Sequence, residues 1–174
     1  MAHLEQSESL RVRPAGPSDT AEVDALLARS YPALLKADYA PSVLVTTIPL
    51  ISKAQPRLVT SGTYFVVVDS KDSVVGAGGW TRSGPPGFAS GPGQIGHVRH
   101  VVSDHRRLRE GIGRRLMDHV FLTARAAGVT QLECFSTLTA VPFYAALGFS
   151  ELGPMTVQLR AGIDFPAVHM RRLL

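Results

Sequence analysis

The stretch from Gln94 to Phe149 constrains the fold more than any other part of this chain. Gln94 to about Ser103 reads as a strand, and Gly111 to Ala127 places Ile112, Leu116, Val120, Thr123 and Ala127 on one face at helical spacing. Gly128 stops that helix, and Val129 to Thr137 reads as a second strand. A strand–helix–strand of this length implies two parallel strands joined by a right-handed crossover, because a tight hairpin turn can only join antiparallel strands. An α/β arrangement follows.

The remaining elements are shorter. Leu10-Arg11-Val12-Arg13 alternates like a strand and is ended by Pro14, Gly16 and Pro17. Ser18 or Asp19 can cap a helix carrying Val23, Leu26, Leu27 and Tyr31 at helical spacing. From Tyr31 to about Ser52 the chain is mostly apolar but interrupted by Pro32, Pro41 and Pro49, which predicts short broken helices forming a lid or substrate wall. Thr63 to Val68, a turn over 69–73 and Val74 to Trp80 predict a hairpin. Residues 82–93 are rich in Gly and Pro and predict an exposed loop. Ala140 to Leu147 is a short helix stopped by Gly148, and Met155 to about Leu159 and Ala167 to Leu174 supply final strands. With 174 residues the chain is read as one domain over 10–174, preceded by a mobile N-terminus over 1–9.

Charge narrows the function. Of 18 basic residues, 15 are arginine, a bias toward planar, multi-donor anion contacts. Arg99, Arg106, Arg107, Arg109, Arg114 and Arg115 stand against only Asp104 and Glu110, so this one window carries the whole net charge of +4. A chain that coats nucleic acid spreads its charge over a face or tail, and no recognised nucleic-acid motif accompanies the cluster. The excess reads as a local anion site. Cys134 is the only cysteine, so an intramolecular disulfide and a cysteine-based metal cluster are both excluded. Met1 to Leu10 is polar and acidic, unlike a signal peptide, and no apolar run reaches the roughly 20 residues of a membrane span. A cytoplasmic location, with no membrane partner, is the expectation.

The anion site falls on Arg107-Leu108-Arg109-Glu110-Gly111-Ile112-Gly113-Arg114, between the first strand of the parallel unit and its helix. First-turn N–H groups lack internal partners, glycines let a ligand approach them, and the helix dipole favours negative charge. Pyrophosphate suits such a nest. A dinucleotide fingerprint needs a third glycine where Leu116 stands, and no Gly-Lys-Ser/Thr phosphate loop occurs.

With Leu108-Arg109-Glu110-Gly111-Ile112-Gly113 followed at the right separation by Phe143-Tyr144-Ala145-Ala146-Leu147-Gly148-Phe149, the chain resembles the GNAT superfamily of acyl-CoA-dependent N-acyltransferases. The resemblance covers roughly residues 10 to 174. It implies a single-domain α/β (α+β-like) fold, with a mixed central sheet of about six to seven strands flanked by helices and the parallel strand–helix–strand as the cofactor unit. It further implies an N-acetyltransferase that carries acetyl from acetyl-CoA to an amine of a small molecule or peptide by direct attack. The alternative is a non-catalytic acyl-CoA-binding sensor. Leu108 stands where Gln or Arg is usual, so Arg107, Arg109 and Arg114 are the candidate phosphate donors, within a cofactor-binding segment whose other members are Leu108, Glu110, Gly111, Ile112 and Gly113.

By the same resemblance Val101, Val102 and Ser103 would pair with the pantetheine arm. Tyr144 matches the family tyrosine that protonates the departing thiolate; a phenol with its ordinary pKa of about 10 holds its proton at neutral pH. Packing with Phe143 and Phe149 is the competing role. For the base, His100 is chosen, with His97 and Glu133 as alternatives; strand alternation puts His97 and Arg99 on one face and Gly96, Val98 and His100 on the other. Cys134 reads as a small buried hydrophobe. Ser136 either contacts pantetheine or caps its strand. Trp80 reads as a core anchor, with an acceptor-pocket role shared with Tyr31, Tyr39 and Phe88 as the alternative. No metal is implied, and exposed strand edges permit a homodimer.

Overall fold

Seven strands form one sheet in the order β1-β2-β3-β4-β5-β7-β6. They are β1 (Arg11–Pro14), β2 (Tyr64–Val68), β3 (Val74–Thr81), β4 (Ile95–Ser103), β5 (Gln131–Thr137), β6 (Ser150–Arg160) and β7 (Ile163–Leu173). The computed structural model describes residues 9–84 and 94–174. Most of the loop expected over 82–93, Phe88 with it, and residues 1–8 of the N-terminal segment lie outside the described residues. Neighbouring strands are antiparallel except β4 and β5, which are parallel as the crossover requires.

Helices cover both faces. α4 (Ile112–Ala126) and α5 (Val141–Ala146) pack with Val67, Val98, Leu132, Cys134 and Met170 on one side. On the other, α1 (Thr20–Leu35), α2 (Pro41–Ile51) and α3 (Pro56–Val59) cover Tyr64, Val66, Ala77 and Val102. β2 is therefore buried on both sides, and its continuous apolar run Tyr64-Phe65-Val66-Val67-Val68 is the sequence consequence. Each such aliphatic side chain contributes about 1.5–3 kcal/mol by leaving water. No helix among the described residues is long and apolar enough to cross a membrane.

Several boundaries differ from the sequence reading for identifiable reasons. α1 runs through Pro32 to Leu35 instead of breaking there; the proline forgoes one backbone bond, and burial of Tyr31 and Leu35 on either side offsets that loss. In α4 the buried stripe also takes in Met117, Phe121 and Ala124, whereas Ala127 is exposed past the helix end. The two final strands form a hairpin longer than predicted, because β6 starts at Ser150 and includes Gly153 and Pro154. Pro154 is tolerated because β6 is the edge of the sheet. Between β2 and β3 the predicted turn is present: Asp69 Oδ1 accepts from the N–H groups of Lys71 at 2.9 Å and Ser73 at 3.0 Å.

Candidate active site

The parallel strands part almost as soon as they meet. Among the described residues, the β4–β5 ladder consists of Ile95, Gly96 and His97 against Gln131, Leu132 and Glu133. Beyond that apex β4 pairs with β3 and β5 with β7, leaving a fork between them. The facing edges of the fork carry backbone donors and acceptors without a strand partner, the kind of edge an extended ligand can occupy.

A bulge in β4 opens the fork. Gly79 pairs with Arg99 and Ala77 with Val102, so Gly78 alone stands opposite His100 and Val101. His100 has φ +52°, and a Cβ on Gly78 would lie 2.7 Å from Val101 Cγ2, so the bulge needs glycine across from it. Two buried phenols hold the displaced carbonyls: Tyr64 donates to His100 O at 3.1 Å and Tyr31 to Val101 O at 3.3 Å. Burial raises the pKa of both.

The bulge overturns the alternation expected along β4. Val98 packs against the α4 side, yet His100 lies on the α1/α2 side with His97 and Arg99, 5.9 Å from the Tyr31 ring and with Nε2 2.8 Å from Ile51 O. A carbonyl only accepts, so Nε2 carries the proton and Nδ1 is the basic nitrogen. Burial lowers the His100 pKa, with Ile51 opposing and Arg99 adding to the shift.

At the open end of the fork the nest takes shape. Gly111 is the α4 N-cap with φ +76°, and a Cβ there would meet nothing within 4 Å; Arg109 is also left-handed, at φ +65°. This open backbone at a helix N-terminus fits the pyrophosphate of CoA. Gly113 has a different reason to be glycine: a Cβ would lie 2.9 Å from the Phe143 ring and 3.3 Å from Ser103 Oγ. The arginines divide as well. Arg107 is committed to Asp69 at 3.0 Å and Glu110 at 2.7 Å, tying the nest to the β2–β3 turn. Arg106 and Arg29 converge on buried Asp104 at 2.8 and 3.1 Å. Leu108, Arg109 and Arg114 are exposed, and among the described residues the two arginines enter no ion pair. Of the three phosphate-donor candidates, Arg109 and Arg114 are thus the uncommitted ones.

Tyr144 reaches the fork from the α4 side. Its ring is buried against Phe143 and Phe149, at centroid separations of 5.1 and 5.3 Å. Burial raises its pKa well above the usual phenol value, and Cys134 and Tyr31 add to the shift from opposite sides of the sheet. The ring thus packs with Phe143 and Phe149, and a hydroxyl that keeps its proton is chemically able to act as an acid. Cys134 is buried, and burial raises its thiol pKa, which keeps it protonated and weakly nucleophilic. Ser136 donates to Thr137 O at 2.7 Å, the strand-end role. Trp80 lies in the α4-side core with its indole N–H on Thr123 Oγ1 at 3.0 Å. Tyr39 is a buried pin, donating to Pro166 O at 2.7 Å and accepting from Leu138 N at 2.8 Å.

Sequence reasoning missed Tyr64 and His169. Tyr64 was one strand aromatic among several, and His169 lies on β7, beyond both motifs. On the α1/α2 side of the sheet, His97, Glu133, Phe135, His169, Leu152 and Met155 line a cavity of about 320 Å³. His97 and Glu133, the last parallel pair, place it at the apex of the fork.

A mixed sheet forked between two parallel strands, bulged on one of them and ending at a glycine nest, defines an acyltransferase fold. The chain belongs to the GNAT acetyltransferase family: the acetyltransferase (GNAT) domain matches residues 37–174. Among solved structures it is similar to the GCN5-related N-acetyltransferase from Rhodopseudomonas palustris, with a TM-score of 0.76 at 19% identity over 100% of both chains. PaiA N-acetyltransferase from Thermoplasma acidophilum, in complex with coenzyme A, is similar with a TM-score of 0.71 at 11% identity, covering 95% of this chain and 99% of that one. N-acetylglutamate synthase from Neisseria gonorrhoeae, complexed with coenzyme A and N-acetyl-glutamate, gives 0.59 at 17% identity, covering 95% of this chain and 35% of that one. No curated protein matches the chain by sequence.

Proposed function

We propose that residues 10–174 form one catalytic domain that transfers an acetyl group from acetyl-CoA to an amine nitrogen. The observation that carries this reading is the fork between β4 and β5, bulged at His100 and ending at the Gly111 nest. Acetyl-CoA supplies the activated acyl thioester. Arg109, Arg114 and the N–H groups around Gly111 hold its phosphates, and the β4 edge at Val101, Val102 and Ser103 holds its arm. Tyr144, protonated at neutral pH, donates to the departing sulfur. His100 is neutral and presents Nδ1 as a proton acceptor, in keeping with its place at the bulge.

Calorimetric titration with CoA, followed by thiol release from acetyl-CoA in the presence of a panel of amines, tests the proposal. Binding followed by amine-dependent thiol release supports it. Binding without transfer to any amine gives the sensor reading instead, and absence of binding overturns both.

A further inference from the structure

We propose that the cavity at the apex of the fork receives the acceptor as a small primary ammonium on a compact apolar body, held by Glu133 and deprotonated by His97. The inference rests on the acetyl-transfer reading and names the acceptor class and a second proton-handling residue for that site.

Glu133 is set up to receive a cation. Its carboxylate is oriented by His169 Nε2 at 3.1 Å and Gln131 Nε2 at 3.2 Å, one donor on each oxygen. Each oxygen retains a lone pair for a further donor. Arg99, the nearest cation along β4, is turned to Thr81 Oγ1 on β3 at 3.1 Å, on the side of β4 away from the cavity. Arg171 pairs in register with Glu133 but is exposed and does not line the cavity. Among the described residues Glu133 is the only acidic group that lines the cavity, and an acceptor carrying its own carboxylate would meet like charge.

His97 supplies what Glu133 lacks. It is 5% exposed, and among the described residues its buried Nε2 has no hydrogen-bond partner. An orphaned buried nitrogen costs about 1–3 kcal/mol, and such atoms mark places where a ligand or a proton transfer completes the bonding. Burial lowers the His97 pKa, opposed by Glu133 and reinforced by Arg99 and His169, so the ring is neutral and free to accept a proton. A metal does not account for the cluster: among the described residues no three His, Cys, Asp or Glu side chains are placed to hold one. The remaining wall, Phe135, Leu152 and Met155, is apolar. At about 320 Å³ the cavity lies at the small end of the roughly 300–1,000 Å³ range of ligand sites, a size that suits a compact acceptor body.

The step balances. The ammonium gives one proton to His97, and the freed lone pair forms the N–C bond as the C–S bond breaks. The nitrogen then loses its second proton to Nδ1 of His100, from which it returns through solvent to the Tyr144 phenolate and restores the acid. One proton ends on the sulfur, delivered by Tyr144, and the other reaches solvent from His97.

The matched probes are benzylamine and phenylglycine, which share the ring and amine and differ by one carboxylate. Calorimetry on the full chain, with and without CoA, should show benzylamine binding at least tenfold tighter than phenylglycine. Glu133→Gln should weaken benzylamine about tenfold, the loss of one charge-assisted contact, with CoA affinity unchanged. Should that variant not fold, Met155→Trp fills the same cavity and should abolish benzylamine binding while CoA still binds. His97→Gln should leave the benzylamine Kd within about threefold and lower kcat about 100-fold. Equal affinity for phenylglycine, a Kd unmoved by both Glu133→Gln and Met155→Trp, or tighter binding of a tripeptide amide beginning with phenylalanine would overturn the proposal. Loss of acetyl transfer with Glu133-dependent benzylamine binding intact would sink the transferase reading alone.

Discussion

Tyr64 donates from the fully buried β2 to the carbonyl of His100 at 3.1 Å, and so holds the residue of β4 whose φ is left-handed. Removing that hydroxyl leaves a carbonyl unsatisfied beneath α1. Tyr64→Phe should cost about 1–3 kcal/mol in urea unfolding and lower turnover, because the bulge is no longer fixed. An unchanged midpoint would show that the carbonyl finds another donor.

Two glycines two positions apart, the N-cap of α4 and its second residue, should fail differently. Gly111→Ala meets no neighbour but is held at φ +76°, so it should cost about 1–2 kcal/mol of backbone strain and weaken CoA binding. Gly113→Ala pushes on the Phe143 ring next to Tyr144, so it should lower turnover more than CoA affinity. Calorimetry and steady-state kinetics on both variants separate the two.

For Tyr144→Phe the expected result is a fall in kcat of about 100-fold with CoA affinity nearly unchanged, as for loss of a positioned acid. Because burial holds the phenol pKa well above 10, the wild-type rate should show no alkaline decline from this group up to that pH. A decline centred near 8 would assign the limb to another residue.

Asp104 contributes to the acid limit of stability, beside Asp19 and Asp69, whose carboxyls are also held below the ordinary value. The Arg106 guanidinium, joined by Arg29, holds its carboxyl well below the ordinary 3.8. A depressed carboxylate stabilises the fold above the unfolded value and loses that contribution as pH falls through the folded one. Its contribution should be level from pH 7 to about 4, then fall by about 2 kcal/mol toward pH 2. Denaturation of Asp104→Asn across that window should lack this drop.

How far the sequence reached is clear from particular residues. The crossover unit was legible because Ile112, Leu116 and Val120 keep helical spacing between two apolar strands, and the nest because arginines cluster around Gly111. The face of His100 was not, since alternation assumes a regular strand and the bulge opposite Gly78 shifts the parity by one. His169 joins Glu133 only through the pairing of β5 with β7, and nothing local to residue 169 signals that partner. Arg107 could not be told from Arg109 by composition. Its commitment to Asp69 depends on a hairpin turn 38 residues away.

The short seam at the apex has a mechanical consequence. Among the described residues, three residue pairs are all that join a four-stranded ladder, β1 to β4, to a three-stranded one, β5, β7 and β6. A molecule lying in the fork would act as a splint across the two halves, and its binding energy would count directly toward keeping them together. By mass action a ligand at 100 times its Kd adds about 2.7 kcal/mol to unfolding, so the same weak seam that admits a guest makes the resistance of the whole sheet to heat depend on whether one is present.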